Sequence, residues 1–383
     1  MRSTIAPMFP VLDLSGSAFE RGRQHGSLAR ARVERSIANY TRLFEASGIG
    51  WKGARRLAAD YRDVIGGVGG GLMDEIRGIA AGSGRGEDEI LALNCRTEIL
   101  PPTFPERPSD AWLAARLGGK VDFGECTALA IAPGASATGE TLLAQNWDWL
   151  GNQREALVIL RARREDGSSY LTLTEAGMLA KIGLNDRGFG VCLNILRSED
   201  DGSAAGVPVH VLLRALLDCR DVADAEARIR PMRFGASSNV LCADATGGRA
   251  ALELSPSGAY VLPGEGTAFC HTNHFLASGA AKTARQLPPS LSSIPRLDRI
   301  RELVRGEKGK MGVADVQRML RDESDGFLSI SRHPDPSLPD FARVETVCSV
   351  VMELGPRTMH VAPDVPTKTD FSAVVLERSA ALA

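Results

Sequence analysis

The sequence predicts an α+β fold of stacked layers. Three observations carry this: a mostly helical stretch over the first 110 residues, a change of character at Val121 to short apolar runs joined by tight turns, and later helices set apart from those hairpins. Regular alternation of single strands with helices would instead predict a doubly wound parallel sheet. At 383 residues the chain has room for two modest domains or one large layered one.

The elements follow in order. From Phe19 to about Ser47 there is no proline and one interior glycine pair, and Leu28, Ile37, Leu43 and Phe44 recur among arginines, which predicts one long surface helix. Further helices are predicted over Ala54–Ile65, Leu72–Ala81 and Glu87–Asn94, ending at the proline-rich break Pro101, Pro102, Pro105 and Pro108. The runs Thr127–Ala132 and Thr141–Trp147 flank the turn sequence PGASATGE and predict a hairpin. Leu157–Ala162 with Tyr170–Thr174, and Lys181–Leu184 with Gly188–Ile195, predict two more. Helical patterning returns over Val207–Leu217 and Asp221–Ile229, and SNVLCAD with RAALELS gives a further hairpin. Two helices, near Pro295–Val304 and Val313–Leu320, precede closing strands at Thr346–Leu354 and Thr358–Val361. There is no internal repeat.

Composition narrows the function. Hydrophobic residues make up 44% and charged residues 24%, with 45 basic against 47 acidic side chains, so no global positive field exists to hold a nucleic acid or an anionic membrane. No apolar run approaches the ~18 residues of a spanning helix, and the first ten residues lack the apolar core of a signal peptide. Seven cysteines, widely spaced and without a CxxC pair, fit neither a zinc framework nor a disulfide staple, so a reducing cytoplasm is the expected compartment and no metal is expected. GGVGGG, Gly66–Gly71, matches no phosphate-loop pattern and follows a helix, so it reads as a helix connector. His271 and His274 in HTNH lack a third ligand and read as a hydrogen-bonded pair, and His25 as a buried polar contact.

The informative segment is GECT, Gly124–Thr127, continuing to QNWDW, Gln145–Trp149. Cys126 stands at the abrupt boundary where a helical front section meets the first strand of a hairpin sheet, an unusual address for a filler thiol, yet taken alone it reads first as a buried, apolar-like cysteine and only second as a nucleophile. A thiol nucleophile needs a base. No histidine is near in sequence, but if the Glu125–Cys126 bond is cut, the new α-amine titrates at about 7.7–8.0 and can relay the proton itself.

FERGRQHG, GECTALAI, GETLLAQNWDW, the Lys181–Asn185 turn with Gly188, SSNVLCAD, LELSP, HTNHF and SISRHP follow one another along nearly the whole chain. In order and spacing they resemble the peptidase C45, or acyl-coenzyme A:6-aminopenicillanic acid acyltransferase (isopenicillin N acyltransferase), family of N-terminal-nucleophile hydrolases. The resemblance implies a four-layer αββα sandwich formed from a precursor that cleaves itself between Glu125 and Cys126, leaving a mostly helical α chain of 1–125 and a β chain of 126–383 that form one catalytic domain. It implies Cys126 as the nucleophile of an acyl-enzyme thioester, Asp148 beside its amine, and Asn239 as an oxyanion donor. Arg343 is matched to a substrate-carboxylate anchor, with Arg332 as competitor. Trp147 and Trp149 flank Asp148 on both faces of the strand, with one expected in the core and Trp149 as a substrate wall. The implied partners are a small amide or acyl-thioester substrate and the two fragments themselves, with no cofactor. The family's fungal enzyme has glycine where Glu125 stands here, which motivates a second reading, an uncut and catalytically silent binding protein on the same fold. A third is an ordinary Cys-His thiol hydrolase using His271, His274 or His333.

Overall fold

Successive strand residues point to opposite faces, so a strand whose two faces are both apolar must be covered on both sides. The run Cys126–Ile131 is buried throughout, and its alternation is resolved by the computed structural model, which describes residues 8–100, 126–203, 205–283, 286, 290, 292–336 and 343–377. Ala128 and Ala130 join the main core with Val191, Leu193 and Val240, while Leu129 and Ile131 join a second core with Leu297, Ile300 and Val316.

The helical front comprises α1 (Ala18–Leu28), α2 (Arg30–Ala46), α3 (Trp51–Ala58), α4 (Arg62–Val68), α5 (Leu72–Ser83), α6 (Glu87–Asn94) and α7 (Arg96–Ile99), preceded by strand β1 (Val11–Gly16). Strands β2 (Cys126–Ile131), β3 (Leu142–Leu150), β4 (Leu157–Arg164), β5 (Ser169–Glu175), β6 (Ile182–Asn185) and β7 (Phe189–Ile195) follow. Helices α8 (Val209–Leu216) and α9 (Val222–Ile229) lead to β8 (Ser238–Asp244), β9 (Arg249–Ser255), β10 (Gly258–Pro263) and β11 (Ala268–His271). Helices α10 (Ser278–Thr283), α11 (Ser293–Gly306) and α12 (Val313–Leu320) precede β12 (Val344–Glu353), β13 (Thr358–Ala362) and β14 (Ser372–Val375).

Among the described residues these strands form an eight-stranded sheet, β1-β4-β5-β6-β7-β8-β9-β10, and a six-stranded sheet, β11-β2-β3-β12-β13-β14. The inner faces meet where β2 and β3 pack on β7 and β8. Helices α11 and α12 cover the outer face of the smaller sheet, and α1, α2 and α9 lie on the larger one, giving the four αββα layers.

The hairpins pair as the sequence predicts, β2 with β3, β4 with β5, β6 with β7 and β8 with β9. Two expectations change. The single long helix is two, broken at Ala29, and its first part is packed rather than exposed, with Arg21, Gly22, His25 and Gly26 buried. The front section also contributes β1, which runs parallel to β4, so not every pair is antiparallel. GGVGGG does connect helices, with Gly69, Gly70 and Gly71 all at positive φ. A groove of ≈ 540 Å³ adjoins it, but its Arg62 and Arg77 are already paired with Glu87 and Asp74. The predicted proline-rich break lies outside the described residues.

Helix α1 seats on α5 through reciprocal glycines. A Cβ added at Gly22 would lie 2.0 Å from the Glu75 carbonyl oxygen, and one at Gly82 would lie 2.0 Å from that of Arg23. Glu75 then ties this pair to the larger sheet, accepting from Arg21 at 3.1 Å and from the Tyr170 hydroxyl of β5 at 3.0 Å. His25 accepts the Gly177 amide at 3.1 Å, and burial pushes its imidazole down to about 4, so it serves as a neutral acceptor. Gly82→Ala should therefore cost at least about 1–3 kcal/mol as overpacking. Gly66→Ala in α4, with open space around its Cβ, should instead be neutral or stabilising. Urea midpoints of the two variants test the contrast, and equal midpoints would discard the close-approach account.

Candidate active site

Cys126 is the first residue of β2, 4% exposed, with its backbone gripped at both ends by side chains from other elements. Its N–H donates to Asn273 Oδ1 at 2.7 Å, in the segment following β11. Its carbonyl accepts from Arg296 Nη1 of α11 at 2.7 Å and from Asn194 Nδ2 of β7 at 3.1 Å. Arg296 also donates to Thr127 Oγ1 at 3.0 Å and, through Nη2, to Asn273 Oδ1 at 3.0 Å. Asn273 is itself fixed, donating through Nδ2 to the Ile195 carbonyl at 2.9 Å and through its backbone N–H to Ser293 Oγ at 2.8 Å. A strand end would ordinarily take such bonds from a neighbouring strand. Here a closed side-chain network replaces them and fixes the start of β2.

Cross-strand pairing assigns the faces. Cys126 lies opposite Trp147, so its sulfur shares the inner face with Trp147 and Trp149. Asp148 faces the helix layer with Thr127, Asn146 and Thr346. Asp148 Oδ1 accepts from Thr346 Oγ1 at 2.6 Å, while Oδ2 is buried without a hydrogen-bond partner among the described residues. A β-bulge between Thr346 and Cys348 re-aims β12 at this point. Burial pushes the Asp148 carboxyl up to about 7, against the pull of Arg296 and the Thr346 bond. Burial likewise pushes the Cys126 thiol up to about 11. The Asp148 charge adds to that rise, and Lys181 and Arg296 oppose it. In the intact chain the sulfur is therefore a neutral thiol at neutral pH.

The structure brings Cys126, Asp148 and Asn239 into one neighbourhood. Asn239 reaches it indirectly, since its Nδ2 donates to Asn194 Oδ1 at 2.9 Å and Asn194 touches the Cys126 carbonyl. The two asparagines are opposite each other on β7 and β8. Arg343 is directed elsewhere, its guanidinium donating to the Pro336 carbonyl at 3.1 Å. Arg332 lies nearer: its carbonyl accepts from the Thr346 N–H and its own N–H donates to Oγ1 of Thr346, the partner of Asp148. The expectation that the tryptophans take opposite faces is corrected: two residues apart on β3, both lie on the inner face, and both are buried. The Lys181 ammonium sits over the Trp147 ring at 3.5 Å and the Arg96 guanidinium over Trp149 at 4.9 Å. Glu125 lies outside the described residues. His271 is held between Glu253 at 2.9 Å and the Thr272 carbonyl at 2.7 Å, His274 bonds Ser293 at 2.8 Å, and His333 pairs with Glu323. Among the described residues, no hydrogen bond joins a histidine to Cys126.

Sequence reasoning gave no role to Arg296, Asn194 or Asn273. One signal was available: Arg296, Ile300 and Leu303 follow a helical i, i+4, i+7 pattern, so an arginine sits in the apolar stripe of α11. A fully buried arginine needs acceptors, and it has the Cys126 carbonyl, Thr127 and Asn273.

Residues 136–368 match the profile of the acyl-coenzyme A:6-aminopenicillanic acid acyl-transferase family, a span that includes Asp148, Asn194, Asn239, Asn273 and Arg296 and begins beyond Cys126. Over 319 residues the chain is 26% identical to the acyl-coenzyme A:6-aminopenicillanic-acid-acyltransferase 40 kDa form of Emericella nidulans, covering 83% of each protein. Among solved structures it is similar to penicillin V acylase from Agrobacterium tumefaciens, at 13% identity and a TM-score of 0.44 over 62% of this chain and 82% of the other. A variant of the conjugated bile acid hydrolase from Clostridium perfringens gives 11% and 0.44 over 66% and 98%.

The raised Asp148 value fixes a sign. A carboxyl whose folded pKa lies above its unfolded one contributes most stability below about pH 4, and that contribution is lost as pH rises to about 7. Asp148→Asn, made in a Cys126→Ala background that keeps the sulfur out of play, should gain stability relative to its parent between pH 4 and 7 and level off above. Denaturant midpoints across that range test this, and a pH-independent difference would refute it.

Proposed function

Because the chain belongs to the acyl-coenzyme A:6-aminopenicillanic acid acyl-transferase family, we propose that it is a self-processing N-terminal cysteine enzyme acting as acyltransferase or amidohydrolase on small amide or acyl-thioester substrates. The observation that supports this most is the grip on the Cys126 backbone. Ordinary strand residues do not have their N–H and C=O held by three side chains drawn from β7, from α11 and from the segment after β11.

In this reading the Cys126 sulfur adds to the carbonyl of residue 125. The C–N bond breaks with its electrons and a proton going to nitrogen, leaving a thioester and a free Cys126 amine. Water then hydrolyses the thioester, releasing a carboxylate on fragment 1–125 and restoring the thiol on fragment 126–383. The new amine keeps Asn273 Oδ1 as acceptor and gains a lone pair, and Asp148, with its buried Oδ2 available, stabilises the charged form. For turnover the amine takes the thiol proton and the sulfur attacks the substrate acyl carbon. The leaving amine or thiol departs with that proton, and water or an acceptor amine resolves the acyl-enzyme. Asn239 supports the oxyanion side through Asn194.

Intact mass with N-terminal sequencing tests processing. Wild type should give two fragments beginning at Met1 and Cys126, and Cys126→Ala should stay at 40.8 kDa. Asn239→Ala should lower turnover by roughly 10²–10³ with processing slowed in parallel. Full activity from an unbroken chain, or from Cys126→Ala, would refute the mechanism.

A further inference from the structure

Lys181 is a buried ammonium that the mechanism above leaves unused. It sits in the turn between β5 and β6, with its side chain 3% exposed, and its Nζ lies 3.2 Å from Glu175 Oε2 and 3.5 Å above the Trp147 ring. Trp147 is the cross-strand partner of Cys126 on one side and of Cys348 on the other, so all three side chains share the inner face beneath this ammonium. The charged and titratable groups around it come from each element packed there: Glu175 of β5, Arg96 of α7, Tyr40 of α2 bonded to Glu175, His210 of α8 with Nδ1 on the Ala180 carbonyl, and Cys126 itself. Arg96 lies 3.8 Å from the same Glu175 carboxylate, so two cations share one anion beside the sulfur.

We propose that Lys181, anchored by Glu175 and seated on Trp147, is a positioning residue for the Cys126 sulfur: it favours the thiolate when the proton leaves and keeps the sulfur at the inner face. The proposal rests on Cys126 as nucleophile, but its test reads the sulfur directly. A neutral side chain in its place removes the nearby positive charge without touching the clamp on the Cys126 backbone. A second consequence follows from burial, which pushes the ammonium down to about 7 although Glu175 holds it up. The cation is thus present below that pH and fades above it, and its influence on the sulfur fades with it.

The experiment is iodoacetamide alkylation of full-length wild type, Lys181→Met, Lys181→Gln and Lys181→Arg, quantified at the Cys126 peptide by mass spectrometry between about pH 6.5 and 9. Lys181→Gln, which keeps a donor for Glu175, is the second neutral variant should Lys181→Met not fold. Wild type should react about tenfold faster than the neutral variants at pH 6.5. That ratio should shrink towards one at pH 9, and Lys181→Arg should retain the advantage across the range. A merely structural role moves the sulfur the other way, because loosening would expose Cys126, Cys192 and Cys348 together and speed all three. Equal rates at pH 6.5, faster reaction in the neutral variants, or a ratio constant with pH would each overturn the proposal. An active Cys126→Ala protein would instead refute the nucleophile assignment while leaving these alkylation ratios readable.

Discussion

The backbone of Cys126 is the point on which the rest of the molecule is organised. Its N–H meets Asn273 and its carbonyl meets Arg296 and Asn194, so three elements far apart in sequence converge on one peptide unit. Each buried polar group costs a few kcal/mol if left unmade, about 1–3 by mutational series and more when charged. The closed network therefore selects one position for the start of β2 and penalises alternatives. Register then propagates outward: β2 fixes β3 by antiparallel pairing, and β3 fixes β12, whose bulge brings Thr346 under Asp148.

Two charge systems lie on opposite faces of the same sheet. On the helix-layer face, Arg296 and Asp148 balance each other, and burial pushes the Arg296 guanidinium down as it pushes the Asp148 carboxyl up. On the inner face, burial pushes Glu175 up, but Lys181, Arg96 and the Tyr40 hydroxyl outweigh it and hold the carboxylate below its ordinary value. Neither set is needed for packing alone, since replacing buried ion pairs by apolar groups of similar volume is often neutral or stabilising. Both sets lie beside the Cys126 sulfur and nitrogen at the start of β2, where the proposed chemistry would use them.

The hairpins were legible because strand runs and turn residues are local signals, and β2 through β9 fall where alternation and glycine-rich turns place them. The parallel strand β1 was not, since a lone strand ahead of helices carries no sign of a partner 148 residues later, as Val11 finds in Ile159. Site residues divide the same way. Cys126, Asp148 and Asn239 lie in motifs with recognisable spacing. Arg296 is one arginine among many on α11, and its meaning depends on which face of that helix meets β2, a tertiary fact. The tryptophans show the opposite case: the expectation that Trp147 and Trp149 lie on both faces of the strand fails on local grounds, because residues two apart on a strand share a face.

The state of the nitrogen decides what this site can do. In the whole chain it is an amide with no basic lone pair, its proton committed to Asn273, beside a thiol that burial keeps protonated. No histidine among the described residues is hydrogen-bonded to that sulfur. In the proposed scission this nitrogen would become basic near neutral pH, with Asn273 Oδ1 positioned to accept from it. Under the proposed processing, the clamp on the Cys126 peptide unit would also orient the new amine. That double use would account for polar side chains, rather than a neighbouring strand, holding the first residue of β2.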